Sequence, residues 1–348
     1  YYARRQAIIN AQNLIEAAHD TSQDIAETVA TAKKGMVTNV PGRKIESAIY
    51  PEILNVQDRV IDATGRKIQN YIPTGLTKID RRMNMRRGRL TIIASDPGVG
   101  KTSFMLCVMR NMVKNGMRPV MFSLEMTREE IIENIIAQEV QICHRDMVSG
   151  NLADIDITRM TKKAGEYKKL NLGVLDNELM EWTVSAMRNQ LIDEMEQGLD
   201  AVFIDSLGLI RPPKEAPRNE GRAVLYNTIC EDLVRLGTEL KIPVILAHHL
   251  NKDSSKRSKD WRPTLQSLDF AGERYAHNVG FIYRECMINA TEDNADKAEF
   301  IIAKARDGIP GTIDLLFDGP TKIFRNMDCL LYTSPSPRDR TRSRMPSS

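Results

Sequence analysis

The stretch Leu90-Thr-Ile-Ile-Ala-Ser-Asp-Pro-Gly-Val-Gly-Lys-Thr102 decides how the rest of the chain is read. Leu90–Ala94 is a short apolar run, the pattern of a buried strand. Ser95–Thr102 is a Gly-rich turn, and 101–114 continue with apolar residues at helical spacing. Strand, Gly-rich loop and helix in that order make an anion cradle. Gly98 and Gly100 let backbone N–H groups curl around a phosphate with no Cβ in the way. The helix that follows aims the positive end of its dipole at the same point. Lys101 has the reach for β- and γ-phosphates, and the Thr102 hydroxyl is a ligand type for Mg²⁺. The nucleotide-binding segment is therefore read as Ser95, Asp96, Pro97, Gly98, Val99, Gly100, Lys101, Thr102 and Ser103. One departure is visible: the strict pattern has Gly where this chain has Ser95.

Working outward, short apolar runs alternate with amphipathic helices. The runs are 90–94, 120–124, 172–175, 201–204, 244–247, 281–283, 300–303 and 313–317. Helical patterns fall at about 101–114, 128–141, 180–197 and 223–240, the second opened by a Thr127/Glu130 capping box. Strands that are apolar throughout, alternating with helices, predict an α/β fold with a central, mostly parallel sheet flanked by helices. Asp307-Gly-Ile-Pro-Gly311 is a hairpin signal, so the last two strands are expected to be antiparallel. Upstream, 4–36 read as two helices with a break at Thr21-Ser22, 37–50 as linker and 52–63 as a short helix.

Two further strand ends complete the chemistry. Val202-Phe-Ile-Asp205 is an apolar strand ending in a carboxylate, placed to hold Mg²⁺ at the carboxyl edge of the sheet. Met121-Phe-Ser-Leu-Glu125 brings a second carboxylate to the same edge. A group that orients or deprotonates an attacking water belongs there. From chemistry alone, Glu125 reads equally well as a helix-start carboxylate favoured by the dipole of the helix at 128.

The 348 residues carry 49 Lys+Arg, 46 Asp+Glu and five cysteines without a Cys-x-x-Cys pair. That composition excludes a disulfide framework and a thiolate zinc site. No apolar run approaches the ~18 residues of a spanning helix, so no membrane association is expected. The formal net charge of +3 comes from the last twenty residues, which hold Arg338, Arg340, Arg342, Arg344 and Asp339; the remainder has 45 basic and 45 acidic residues. The segment 329–348 is Ser/Pro/Arg-rich, reads as disordered and non-native, and resembles the in-frame translation of a sequencing-library adapter. The chain starts at Tyr1, and reads as a fragment at both ends.

Several segments, in order, carry a family resemblance: Ile72-Pro-Thr-Gly-Leu-Thr-Lys-Ile-Asp80, the phosphate loop, Phe122-Ser-Leu-Glu-Met126, Phe203-Ile-Asp-Ser-Leu207, Leu250-Asn-Lys252 and Lys304-Ala-Arg306. Together they resemble the DnaB-type replicative DNA helicases over about residues 1–328. Arg4-Arg5-Gln-Ala-Ile-Ile9 resembles that family's linker helix. The resemblance implies a RecA-like P-loop NTPase motor at 65–328, preceded by a connecting segment at 48–64 and by linker helices with a remnant of the N-terminal collar at 1–47. It implies an ATP- and Mg²⁺-dependent enzyme, a hexameric homo-oligomer moving 5′ to 3′ on single-stranded DNA. Primase and a helicase loader are the implied partners, and the cytoplasm of a bacterial cell or phage-infected host is the implied location.

The resemblance also assigns roles. Lys101 and Thr102 carry nucleotide and metal, Glu125 is the catalytic carboxylate, and Asp205 holds the metal's water shell. Lys304 and Arg306, at i and i+2 on a strand and so on one face, form the finger that reaches a neighbour's γ-phosphate. Without the resemblance they read as charge on an edge strand. His249 stands where the family has Gln as a phosphate sensor. A metal site of His248 and His249 is not expected, because neighbours on a strand point to opposite faces. Two basic loops are candidates for gripping DNA: 211–222, with Arg218 and Arg222, and 252–262, with Lys252, Lys256 and Arg257. Gly272 is a further candidate, in a Phe270-Ala-Gly272 segment that departs from the family's Arg-Glu-Ser-Gly. Two other readings remain in view: a RecA-fold DNA-dependent ATPase of recombination or signalling that does not unwind, and a non-catalytic ring scaffold.

Overall fold

The structure is a computed structural model that describes residues 71–166, 170–178, 180–212, 221–250 and 262–327. The expected linker helices, the connecting segment and the tail from 329 onward lie outside the described residues.

A two-stranded ribbon comes first. Tyr71–Ile72 (β1) pairs antiparallel with Met85–Arg86 (β2), around a one-turn helix Thr77–Asp80 (α1). The Pro-Thr-Gly segment between them is held by its own side chains. Asp80 Oδ1 accepts from the Thr74 amide and hydroxyl, both at 2.7 Å, and Oδ2 accepts from Gly75 N at 3.0 Å. Gly75 has a φ of 78°, and a Cβ there would lie 2.3 Å from Asn111 Nδ2. Only glycine permits both that φ and that approach.

The main sheet follows: β3 (Leu90–Ser95), α2 (Lys101–Lys114), β4 (Pro119–Ser123), α3 (Arg128–Val140), α4 (His144–Val148), α5 (Asp154–Lys163) and β5 (Gly173–Asp176). Then come α6 (Val184–Glu196), β6 (Ala201–Asp205), α7 (Arg222–Leu240), β7 (Val244–His249), α8 (Gly272–Tyr275), β8 (Asn278–Tyr283), β9 (Lys297–Ala305), β10 (Gly311–Asp318) and β11 (Ile323–Asn326). The strand order is β11-β10-β9-β8-β3-β7-β6-β4-β5. From β8 to β5 every pairing is parallel; β8-β9-β10-β11 pair antiparallel.

Every residue of β3, β4, β6 and β8 is buried. Helices cover both faces of the parallel part, so neither side of these strands needs to be polar. One face packs Phe104, Met105 and Met109 of α2 against Phe203, Ile245 and Phe300. The other packs Met187 and Leu191 of α6 with Tyr226, Leu233 and Leu236 of α7 against Val202, Leu246 and Phe281. The Thr127/Glu130 capping box is formed as expected.

Three features depart from the expectation. The expected final strand, β10, is followed by another, β11, which pairs with its carboxyl half. The antiparallel part begins one strand earlier, because β9 turns back on β8. Two helices, α4 and α5, occupy His144–Val148 and Asp154–Lys163, where the sequence reading placed none; neither contains a buried residue.

Candidate active site

The strands of the parallel sheet end together, and their ends carry the site. Gly98 and Gly100 have φ of 77° and 115°, which turn the loop after β3 into a ring of N–H groups at the start of α2. Ser95 is fully buried in the extended end of β3, with no left-handed φ, so a side chain is tolerated there. Its hydroxyl donates to Asp96 O at 2.8 Å and accepts from Lys101 Nζ at 3.3 Å.

Lys101 is 5% exposed. Burial pulls its ammonium down to about 8, against the opposing pull of Asp205, Glu125 and Asp96. Nζ donates to His249 Nδ1 at 3.0 Å, and His249 Nε2 donates to Glu125 Oε2 at 2.9 Å. β3 and β7 run side by side, with Ser95 opposite His249, and this register brings the imidazole to the phosphate loop.

Thr102 Oγ1 donates to Asp205 Oδ2 at 2.5 Å. Burial pushes the Asp205 carboxyl up, and the Thr102 bond works against it. Asp205 Oδ1 is buried with no hydrogen-bond partner. A buried carboxylate oxygen without a partner, beside a hydroxyl and at the phosphate loop, fits a hard divalent cation or its water shell. Thr102 and Asp205 are thus the residues that would hold Mg²⁺. Among the described residues no cluster of three or more His, Cys, Asp or Glu could hold a metal.

The turn after β4 is tied to the same place: Leu124 N donates to Asp205 O at 2.6 Å, and Ser123 Oγ to Met126 O at 2.7 Å. Glu125 projects from this turn into a cleft of about 330 Å³ lined by Gly98, Gly100, Lys101, Thr102, Ser103, Glu125, His249, Phe317, Gly319 and Lys322. The last three come from β10 and its turn into β11, and the sequence reading missed them. The Asp318-Gly-Pro320 turn signal followed by Ile323-Phe324 could have revealed that hairpin. Phe317 supplies an aromatic wall, with the Arg284 guanidinium 4.4 Å from its ring centre.

His248 and His249 do point apart. His248 is buried between Tyr226 and Phe270, its Nε2 2.8 Å from Asp269 Oδ1.

Lys304 and Arg306 lie two residues apart across the end of β9, and burial, then the Arg306 charge, pulls the Lys304 ammonium down. β9 ends at Ala305, so Arg306 lies in the following turn, exposed, its amide bonded to His277 O at 3.2 Å. Lys304 is only partly exposed, and Nζ donates to the carbonyls of Glu273 and Ala276. A bulge opposite Val279/Gly280 shifts the register just before Lys304. Because β9 is antiparallel to β8, its carboxyl end runs toward the amino edge of β3: Lys304 is level with Ile92, and Arg306 bonds to His277, whose amide bonds to Leu90 O. Lys304 pairs with Val279 and Ile301 with Phe281, itself opposite Ala94. Ile301 is thus level with Ala94 and Arg306 with Leu90, four residues of β3 or roughly 13 Å of strand. Arg306 therefore lies across the sheet from its own chain's phosphate loop.

Of the DNA-loop candidates, Arg218, Lys252, Lys256 and Arg257 lie outside the described residues. Arg222 is exposed at the start of α7, its Nε 2.5 Å from Tyr226 Oη. Gly272 is not on a presented loop. It is buried, and a Cβ there would lie 2.5 Å from the Phe270 ring. Close packing, not solvent access, accounts for glycine at that position.

The profile of the DnaB-like helicase C-terminal domain matches residues 71–326. The chain is 29% identical over 351 residues to the replicative DNA helicase DnaC of Bacillus subtilis, covering 94% of this chain and 75% of that protein. It is 29% identical over 314 residues to the replicative DNA helicase DnaB of Geobacillus stearothermophilus, covering 89% and 66%. A solved ATPase domain superposes with a TM-score of 0.70 at 26% identity, over 80% of this chain and 98% of that one. A DnaB-like replicative helicase, described with its interactions with primase, superposes with a TM-score of 0.75 at 26% identity, over 94% and 76%.

Proposed function

Because the chain belongs to the DnaB-like helicase C-terminal domain family, we propose that it is the ATP-driven motor of a replicative DNA helicase, working as a hexameric ring on single-stranded DNA. The observation that carries this reading is the meeting of Lys101, Thr102, Glu125 and Asp205 around one cleft at the carboxyl edge of the sheet.

ATP enters with its phosphates against the N–H groups of the loop, where Lys101 and the start of α2 balance their charge. Glu125 orients a water toward the γ-phosphorus and accepts its proton as the bond to the β-phosphate oxygen breaks. Phe317 offers a face for the base to lie against. Mg²⁺ held by Thr102 and Asp205 would neutralise charge on the transferring phosphoryl group. Arg306 lies at the edge of the sheet opposite its own cleft, so a phosphate within its reach belongs to another copy. Hydrolysis then depends on ring contacts, with Arg306 supplying transition-state charge from outside; Lys304 fixes the approach to that turn. DNA contact by the basic segments at 211–222 and 252–262 and movement 5′ to 3′ are parts of the same proposal. So are docking of primase or a loader and a cytoplasmic site of action. Among the described residues no helix is long and apolar enough to cross a membrane.

The test is ATP hydrolysis with and without single-stranded DNA, together with strand displacement from a fork with a 5′ tail. Stimulated turnover and displacement, both lost in Lys101→Ala, are expected. Hydrolysis without displacement on any fork would favour a DNA-dependent ATPase that does not unwind.

A further inference from the structure

Both ring nitrogens of His249 are committed. Nδ1 faces the Lys101 ammonium at 3.0 Å, and Nε2 faces the Glu125 carboxylate at 2.9 Å. An ammonium can only donate and a carboxylate can only accept. Nδ1 must therefore be the acceptor and Nε2 must carry the hydrogen. The two partners together select one form of the ring: neutral imidazole, protonated on Nε2. Among the described residues this is the only hydrogen bond of the Glu125 side chain, which is otherwise 46% exposed on a turn. Without the imidazole the carboxylate has freedom to swing out of the cleft.

We propose that His249 is a positioning residue for hydrolysis: in its neutral form it spans Lys101 and Glu125 and sets the carboxylate against the phosphate loop, and protonation of Nδ1 takes the span apart. The proposal rests on the ATPase reading above and adds a proton dependence to it. When Nδ1 gains a proton it loses the lone pair that accepts from Lys101, and two cations then face each other. Lys101 must withdraw, and the ring becomes free to follow Glu125 rather than hold it. The charged groups around the ring come from every strand end at the cleft. They are Asp96 and Lys101 on the phosphate loop, Glu125 after β4, Asp205 at the end of β6 and Lys322 on the β10–β11 turn.

The side chain that reproduces the span without titrating is glutamine, whose amide carries one acceptor oxygen and one donor nitrogen. Leucine fills similar space and does neither. The experiment compares the full chain with His249→Gln and His249→Leu, measuring DNA-stimulated kcat from pH 5.5 to 8.5 and the Kd of a fluorescent ATP analogue. His249→Leu is expected to lower kcat about 10–100-fold at pH 7.5 with the analogue's Kd little changed, since a displaced catalytic group costs turnover rather than binding. His249→Gln should recover at least about tenfold of that loss and lack any acid limb that the unaltered chain shows, since an amide does not titrate. The proposal is overturned if His249→Leu turns over like the unaltered chain, if its kcat and analogue affinity fall together, or if His249→Gln keeps the acid limb. Should His249→Leu fail to fold, the His249→Gln pH profile decides alone. Loss of the ATPase reading looks different: the unaltered chain would then show no turnover that Lys101→Ala removes.

Discussion

Thr102 Oγ1 donates a 2.5 Å hydrogen bond to Asp205 Oδ2 across 103 positions of sequence, while Asp205 Oδ1 stays buried without a partner. The start of α2 and the end of β6 are thereby joined into a single oxygen-lined corner. Burial opposes the charge on Asp205, so the carboxylate costs stability and returns function. Asp205→Asn keeps the shape and the acceptor for Thr102. It should lower Mg²⁺-dependent ATP turnover by about 100-fold and leave the Tm unchanged or raised. A Mg²⁺ titration of hydrolysis and a thermal melt test both halves.

Lys101 carries a second expectation. Burial brings its ammonium down to about 8 in the free chain, so the cation that meets the phosphates is present below that pH and lost above it. Nucleotide affinity should weaken as pH rises from 7 to 9, and binding above pH 8 should take up a proton as the phosphates recharge the amine. Calorimetry in buffers of differing ionisation enthalpy measures this uptake. Lys101→Ala should bind weakly, hydrolyse nothing and show no such uptake.

Arg306 is exposed at the edge of the sheet opposite the phosphate loop. Arg306→Ala should fold, bind nucleotide and lose about 10³-fold or more in turnover. Mixed with Lys101→Ala, it should regain part of the activity, because an intact cleft from one chain then meets an intact arginine from the other. Turnover of the mixture, once mixed assemblies are verified by size, is the measurement. No recovery in verified mixtures argues against action between copies.

Gly280 on β8 faces Phe300, whose ring would come within 2.4 Å of an added Cβ. Phe300 cannot yield, since it stacks on Phe104 with centroids 5.0 Å apart. Gly280→Ala should cost about 1–3 kcal/mol in urea unfolding. Gly165→Ala, with nothing within 4 Å of the new methyl, should stay within about 0.5 kcal/mol.

Much of this architecture was legible locally. The phosphate loop is one continuous segment, so its chemistry needs no tertiary information. Asp205 and Glu125 were legible because the first ends an apolar strand and the second follows one by two residues, and parallel strands present their carboxyl ends together. Thr127 and Glu130 cap α3 by contacts three residues apart. Lys304 was not legible in the same way. Its partners, the carbonyls of Glu273 and Ala276, lie about thirty positions upstream, and nothing in Lys304-Ala-Arg306 reports them. Gly272 misled for a related reason. A glycine in a polar loop and a glycine against an aromatic ring look identical in sequence.

By itself, then, the amino-acid sequence determined the elements whose causes are local: strands apolar on both faces, amphipathic helices, the Gly-rich turn and the cap of α3. The tertiary structure decided the strand order and the extra strand β11 that brings Phe317 and Lys322 to the cleft. It also decided the separation of Arg306 from Lys101. Each of these depends on which strand lies beside which, and in what register. Pairing is settled by the burial of whole faces across the sheet, a property of the folded chain that no single segment contains.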